Sequence, residues 1–395
     1  MRTVLNLVVA LTFMMPSLVF SQSLAKEEGS VRIATYNTAM NRKKAGALQA
    51  ELEGGKSTQA RAVAEVIQRV RPDVLLINEI DYDKDSKSAK LFIKEYLGKP
   101  QGDQKAIEFT HHYIAPVNTG VRSGLDLDNN EKTTDPNDAF GFGRFSGQYG
   151  MLVLSNLEID KENVRSFQKF LWKDMPGALW PVDPETKKSY YSDEAKKIFR
   201  LSSKSHWDVP LKMGGKTLHF LVCHPTPPVF DKEEDKNGRR NHDEIRLWSD
   251  YVSGKSDYLY DDAGRKGGLG KDAHFVIAGD LNADPLDGDQ ALGAIQQLLE
   301  NELVNDVSPK STGGAYWSRE QGGVNEKHKG DPAFDTGDWK DKGQFAGGNA
   351  RVDYVLPSKT LAVTGSGVFW PKADEPGFKA CKRSDHRLVW IDIKK

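Results

Sequence analysis

Apolar residues fall along this chain in short runs of two periods. VRIATY, residues 31–36, reads as a strand. The segment TQARAVAEVIQRVRPD then places Ala60, Val63, Ala64, Ile67 and Val70 at the spacing of one helix face, and Pro72 stops it. Val74-Leu75-Leu76-Ile77 is a short continuous apolar strand, the pattern of a sheet buried on both faces. Further strands are expected at 151–155, 217–224, 275–280, 351–356 and 387–393. NHDEIRLWSDYV has Asn241 as an N-cap, with Ile245, Trp248 and Val252 on one face. Strands and helices mix without strict alternation, which predicts a layered α/β or α+β sandwich and not a uniform barrel. The polar, glycine-rich segments 118–149, 165–205 and 305–349 are too long for plain connections. No internal repeat or low-complexity linker divides the chain.

The N-terminus changes this picture. MRTVLNLVVALTFMMPSLVFSQS has one early cation, Arg2, an apolar run from Val4 to Phe20, and small residues from Ser21 to Ala25. That is the layout of a secretory signal peptide. Thr12, Pro16 and Ser17 interrupt the run, which is short for a membrane span. Residues 1–25 are therefore expected to be a signal peptide, and 26–395 one exported domain, periplasmic or secreted, without a membrane anchor. Lys and Arg number 55 against 56 Asp and Glu, for a net charge of −1. This lacks the positive excess of many nucleic-acid binders and leaves open only a local basic groove. The two cysteines, Cys223 and Cys381, read as buried free thiols; pairing them would need a geometry that spacing alone does not supply.

Polar residues at the strand ends carry the chemistry. TYN ends the first strand with Asn37, and LLINEID ends the second with Glu79. LVCHPTPP places His224 after a strand, and FVIAGDLN supplies Asp280 and Asn282. Asp353 lies inside RVDYV, and SDHR opens the last strand with Asp385 and His386. Each has an ordinary alternative: Asn37 caps a turn, Glu79 is a solvated strand end, His224 is a hydrogen-bonded core histidine. Asp353 resists that treatment, because an acid between Val352 and Tyr354 needs a partner if buried.

Y-N, N-E, G-D-L-N, R-V-D-Y and S-D-H, in this order, resemble the endonuclease/exonuclease/phosphatase superfamily. That group includes pancreatic-type deoxyribonucleases, repair nucleases, neutral sphingomyelinases and inositol-polyphosphate phosphatases. The likeness runs from about Val31 to Ile393, and GQYGMLVLSN also fits it. It implies a four-layered α/β sandwich, two packed mixed β-sheets flanked by helices, with 26–395 as the catalytic domain. By the same resemblance Glu79 is the main metal carboxylate, with Asn37 and Asp385 near the metal. Asp280 orients or deprotonates water, helped by Asn282, and His386 contacts the phosphoryl group, oriented by Asp353. His224 sits where the deoxyribonuclease branch has its second histidine. Repair nucleases carry an acid two residues after the Asn37 position; here it is Ala39, a departure from the family pattern that leaves a second metal position on that side open.

Independent chemistry agrees. A phosphodiester is anionic, so its hydrolysis needs charge neutralisation, an aligned water and support for the departing oxygen. Hard carboxylate oxygens suit Mg²⁺ or Mn²⁺. For substrate contact, Arg239 and Arg240 lie shortly before an expected helix, where guanidinium groups and a helix N-terminus favour phosphate. His206 is a further candidate, and FLWKDMPGALWPVD (170–183) offers aromatics for a pocket roof or for the core. Asp126, Asp128 and Asn130 alternate like the start of a calcium loop, but Glu131 and Asn137 stand at positions six and twelve, so a structural Ca²⁺ competes with a plain acidic loop. Three functions remain: an exported metal-dependent phosphoesterase for small or lipid-linked phosphates, an exported nuclease of the same fold, and an inactive binding module. The balanced charge favours the first over the second.

Overall fold

The computed structural model describes residues 24–289 and 293–395. The expected signal peptide, but for its last two residues, lies outside the described residues. Two mixed sheets carry the fold. One has the order β12 (Val363–Phe369), β13 (Leu388–Lys394), β1 (Ser30–Asn37), β2 (Val74–Asn78), β4 (Met151–Ser155), β3 (His111–Tyr113). The other runs β11 (Asp353–Pro357), β8 (His274–Asp280), β7 (Lys216–Cys223), β6 (His206–Met213), β5 (Arg165–Ser166). A short hairpin of β9 (Gly337–Asp338) and β10 (Asn349–Ala350) stands apart.

Period-two alternation sorts side chains into layers. Val31 and Ile33 of β1, Val74 and Leu76 of β2, Phe220 and Val222 of β7, and Val276 and Ala278 of β8 share one cluster, the core between the sheets. The alternate residues Ala34, Tyr36, Leu75 and Ile77 face the helix Thr58–Val70, which buries Ala60, Val63, Ala64, Ile67 and Val70 as its spacing predicts. Ser57 caps that helix, its side chain accepting the Ala60 N–H at 3.2 Å. On the other side Leu221, Phe275, Ile277 and Tyr354 pack against Ile245, Trp248 and Tyr251 of the helix Lys236–Val252. The result is helix, sheet, sheet, helix, the four-layered sandwich that the sequence implied. Cys223 and Cys381 are free and buried.

One feature differs from expectation, and two others resolve what the sequence left open. The helix expected from Asn241 begins at Lys236, so Asn241 is no cap. It is buried inside the helix, and its Nδ2 donates to the carbonyls of Thr226 at 2.8 Å and Leu281 at 2.9 Å. One side chain thus ties the loops that follow β7 and β8 to the same helix. The aromatic insert joins the core: Phe170 and Trp172 are fully buried, and the Trp172 indole donates to Asp243 at 2.6 Å. Of the long segments, the one at 305–349 holds the helix Thr312–Gln321 and the hairpin strand β9.

Gly279, between the apolar part of β8 and Asp280, is required by close approach. A Cβ there would fall 2.0 Å from the Cys223 carbonyl oxygen, and its φ of 157° is one that L side chains rarely adopt. Gly279→Ala should therefore destabilise the fold by about 1–3 kcal/mol, the usual range for overpacking. Gly270→Ala, at an open position, is the control and should change little. Chemical denaturation of the two variants measures the difference.

Candidate active site

Strand polarity brings the chemistry to one edge. β1 and β2 run parallel, as do β7 and β8, while β13 and β11 run antiparallel to their partners in each sheet. The C-terminal ends of β1, β2, β7 and β8 therefore meet the N-terminal ends of β13 and β11. Alternation does the rest: Asn37, Asp280 and Asp353 each take the register position that faces the gap between the sheets. Asp353 lies directly opposite Asp280 in the β11–β8 ladder.

The Asp280 carboxylate is the centre of the group. Its Oδ2 accepts Asn37 Nδ2 at 2.9 Å and lies 3.4 Å from His224 Nε2 and 3.6 Å from His386 Nε2. Its Oδ1 accepts the Asn282 N–H at 3.1 Å. Burial pushes its pKa up to about 6, against the pull of the His386 charge. A carboxylate that titrates near neutrality is suited to taking a proton at physiological pH.

The two histidines have opposite electrostatic fates. His386 Nδ1 lies 2.8 Å from Asp353 Oδ2. Burial opposes a charge there, but Asp353 and Asp280 outweigh it and hold the imidazole well above its usual range. The pair is the partner that buried Asp353 needed. His224 has no carboxylate behind it, and its Nδ1 meets no hydrogen-bond partner among the described residues. Burial, reinforced by Lys204 and His386, pushes it well below the usual range. His386 is thus the charged imidazole and His224 the neutral one.

Glu79 follows β2 directly and is half-buried. Its Oε2 accepts Asn41 Nδ2 at 2.7 Å. Burial raises its pKa; His386 opposes this, and exposed Asp385 adds to the rise. Glu79, Ala39 and Asn282 have left-handed φ of 62°, 49° and 52°. Asparagine tolerates that conformation, but alanine and glutamate are disfavoured there by about 1–2 kcal/mol each. Such strain clusters at functional sites, where the surrounding structure holds it.

A family model for endonuclease/exonuclease/phosphatase proteins matches residues 34–386. The chain belongs to the endonuclease/exonuclease/phosphatase family. Members of this family are hydrolases that act on phosphodiester bonds. No curated protein matches the sequence. Among solved structures, the chain is similar to an endonuclease/exonuclease/phosphatase from Beutenbergia cavernae, at 16% identity and a TM-score of 0.49, over 92% of this chain and 71% of that one. Sphingomyelinase C from Streptomyces griseocarneus is 15% identical with a TM-score of 0.46, over 92% and 99% of the two chains. Beta toxin from Staphylococcus aureus, solved with bound magnesium ions, is 14% identical with a TM-score of 0.45, over 93% and 100%.

Within this family fold, two expected substrate residues do not reach the site. His206 is fully buried at the start of β6, its Nδ1 2.7 Å from Ser202 Oγ and its Nε2 2.8 Å from the Glu244 carbonyl. Both nitrogens are satisfied within the core. Arg240 is also buried, donating to the carbonyls of Leu201, Phe140 and Arg200. It braces two main-chain segments, at Phe140 and at Arg200–Leu201, from within the core. Arg239 stays half-buried within the helix, 4.0 Å from Asp235. In the acidic loop, the third carboxylate beside Asp126 and Asp128 is Asp138, not position twelve, and Asn130 turns to Asp135 at 2.6 Å. Asp126 and Asp138 accept main-chain N–H groups, and with Asp128, whose Oδ1 is buried without a hydrogen-bond partner among the described residues, their carboxylate oxygens lie within 4.8 Å of one another.

Other residues reach the site without a signal in the sequence. Asn41 holds Glu79, Lys204 is buried near Asp280 and Glu79, and Trp339 lies edge-on to His386 with ring centroids 5.4 Å apart. Trp339 arrives because the Asp338 N–H bonds the Asp385 carbonyl at 2.8 Å. None has a periodic or motif neighbour that marks it; only tertiary packing brings them in.

His206 gives a pH prediction. Burial lowers its pKa to about 4, so between about 6.5 and 4 the unfolded chain binds a proton that the folded chain refuses. Stability should fall as pH falls through that window, by up to about 3 kcal/mol from this group. Urea unfolding of His206→Gln at several pH values should give a shallower slope than the unsubstituted protein.

Proposed function

We propose that the protein is an exported, divalent-metal-dependent phosphoesterase that hydrolyses a small or lipid-linked phosphate ester by in-line attack of an activated water. The observation that carries this reading is the setting of Asp280: a buried carboxylate poised near neutrality, held by Asn37 from the other sheet and faced by two histidines. In this reading Asp280 orients the attacking water and takes its proton as the new P–O bond forms. Asn37 and the Asn282 main chain fix the carboxylate, and the Asn282 side chain braces the loop by donating to the Pro225 carbonyl at 3.2 Å. His386, kept charged by Asp353, donates to a phosphoryl oxygen as negative charge builds there. Neutral His224 offers a second imidazole donor from β7.

Glu79, Asn37 and Asp385 are the residues that would hold Mg²⁺ or Mn²⁺. Their donors are hard oxygens, and the half-buried Glu79 carboxylate, made costly to ionise by burial, gains from a cation. The bound ion supplies Lewis-acid polarisation of the ester.

For substrate, the balanced charge argues against a long polyanion. Phe230 is 86% exposed on the loop that follows His224, and Phe345 is 84% exposed between β9 and β10. Exposed apolar tips on the loop after His224 and on the β9–β10 connection suit a lipid-linked or small partly apolar ester. No helix of the described residues is long and apolar enough to cross a membrane. The layout of residues 1–25 supports export.

Glu79→Gln should lower turnover by at least about 10²-fold, the scale of losing several kcal/mol of transition-state stabilisation, while the fold persists. Substrates to assay are bis-p-nitrophenyl phosphate, p-nitrophenyl phosphate, sphingomyelin, inositol phosphates and plasmid DNA, each with and without chelator. Full activity after exhaustive chelation would sink the metal-dependent reading. Efficient plasmid cleavage with negligible small-ester turnover would instead identify a nuclease, and no turnover at all an inactive binding module.

A further inference from the structure

We infer that Lys204 is a second, protein-borne cation of the site, its ammonium binding a non-bridging phosphoryl oxygen from the side of the second sheet. The inference rests on the phosphoesterase reading above and adds a residue that reading does not use.

The position of Lys204 is fixed from several directions. Its carbonyl accepts the Asn118 N–H at 2.8 Å, and the preceding Ser203 N–H donates to Glu244 Oε1 at 2.6 Å. Gly141 closes on the Ser203 carbonyl so tightly that a Cβ would lie 1.9 Å from the oxygen. The side chain leaves this anchored backbone for the catalytic group. Nζ donates to the Pro225 carbonyl at 3.3 Å, the same oxygen that accepts Asn282 Nδ2 at 3.2 Å. Pro225 follows His224, which faces Asp280. Lys204 therefore lies among His224, Asp280 and Asn282, and its charge acts on Asp280 and His224.

A lysine here only to brace the loop would be an odd choice. The residue is 7% exposed. An ammonium has three donors, and among the described residues Nζ makes the single hydrogen bond to Pro225. No carboxylate among the described residues pairs with it directly. The neighbouring acid Glu244 is engaged at both oxygens, by the Ser203 and Thr226 N–H groups. A buried cation without an ion-pair partner is destabilising, and a neutral amide could cap one carbonyl equally well. What matches the spare donors is an anion entering the gap between the sheets. Lys204 offers that anion positive charge from the second sheet. Burial lowers its pKa, opposed by the charges of Glu244, Glu79 and Asp280, and its role is electrostatic, so no proton or electron pair passes through it.

The test uses the full chain and four measurements: kcat/KM on bis-p-nitrophenyl phosphate and the Kd of inorganic phosphate by calorimetry, both at saturating Mg²⁺, the Kd of Mg²⁺ by calorimetry, and Tm. Lys204→Gln keeps a donor for Pro225 and removes the charge. It should lower kcat/KM by about 10²-fold and weaken phosphate binding by about tenfold or more, as expected for losing one transition-state donor. Lys204→Arg should restore phosphate binding to within a few-fold. Removing a positive neighbour of Glu79 should leave Mg²⁺ affinity unchanged or tighter, an effect opposite in direction to the loss of phosphate. A lower Tm with phosphate and Mg²⁺ affinities both unchanged would make Lys204 merely structural and overturn the inference. So would a Mg²⁺-loaded unsubstituted protein that binds no phosphate. Phosphate binding that depends on Lys204 in a protein without esterase activity would retain this inference and reject the phosphoesterase reading. Should Lys204→Gln fail to fold, the Lys204 ε-methylene NMR signal of the unsubstituted protein, assigned with Lys204→Arg, decides: it shifts with phosphate if the inference holds and stays fixed if it does not.

Discussion

The hydrogen bond from Asn37 Nδ2 to Asp280 Oδ2 crosses from one sheet to the other, and the site depends on the packing that allows it. Glu79, Asn37 and His386 come from the first sheet; His224, Asp280, Asp353 and Lys204 come from the second. Neither sheet holds the whole of the proposed reaction group. The apolar core between them therefore does more than stabilise the fold, because it sets the distance across which Asp280 meets His386. Ties such as Asn241, which holds the loops after both β7 and β8, keep the second sheet's contribution in place.

The same gap separates the behaviour of two chemically identical side chains. His386 has an acid on each side and is held charged, while His224 shares its surroundings with Lys204 and is held neutral. The difference lies in which neighbours each ring meets, since burial pushes both in the same direction. A site that must both neutralise phosphate charge and leave a carboxylate free to take a proton benefits from such a division.

Most of the architecture was legible because period and position were unambiguous. The helix face from Ala60 to Val70 and the alternation in β1 each needed only local spacing, and the polar strand ends converge because all those strands share one edge. The start of the helix at Lys236 was not legible, since its first residues are polar and Asn241 mimics a cap. Arg240 and His206 misled for another reason: a charged or titratable side chain in a charged-looking segment gives no sign of whether its partners are solvent, substrate or main-chain carbonyls. Lys204 and Trp339 were invisible for the converse reason, being placed by contacts far apart in sequence.

Cys223 belongs to the core under one outer helix layer and Cys381 to the core under the other, with both sheets between them. Packed sheets lie about 10 Å apart, whereas a disulfide spans roughly 5.5–6 Å between Cα atoms. Bonding these two thiols is therefore incompatible with the native sandwich. In an oxidising compartment, a crosslink between them would mark a chain whose layers had not assembled.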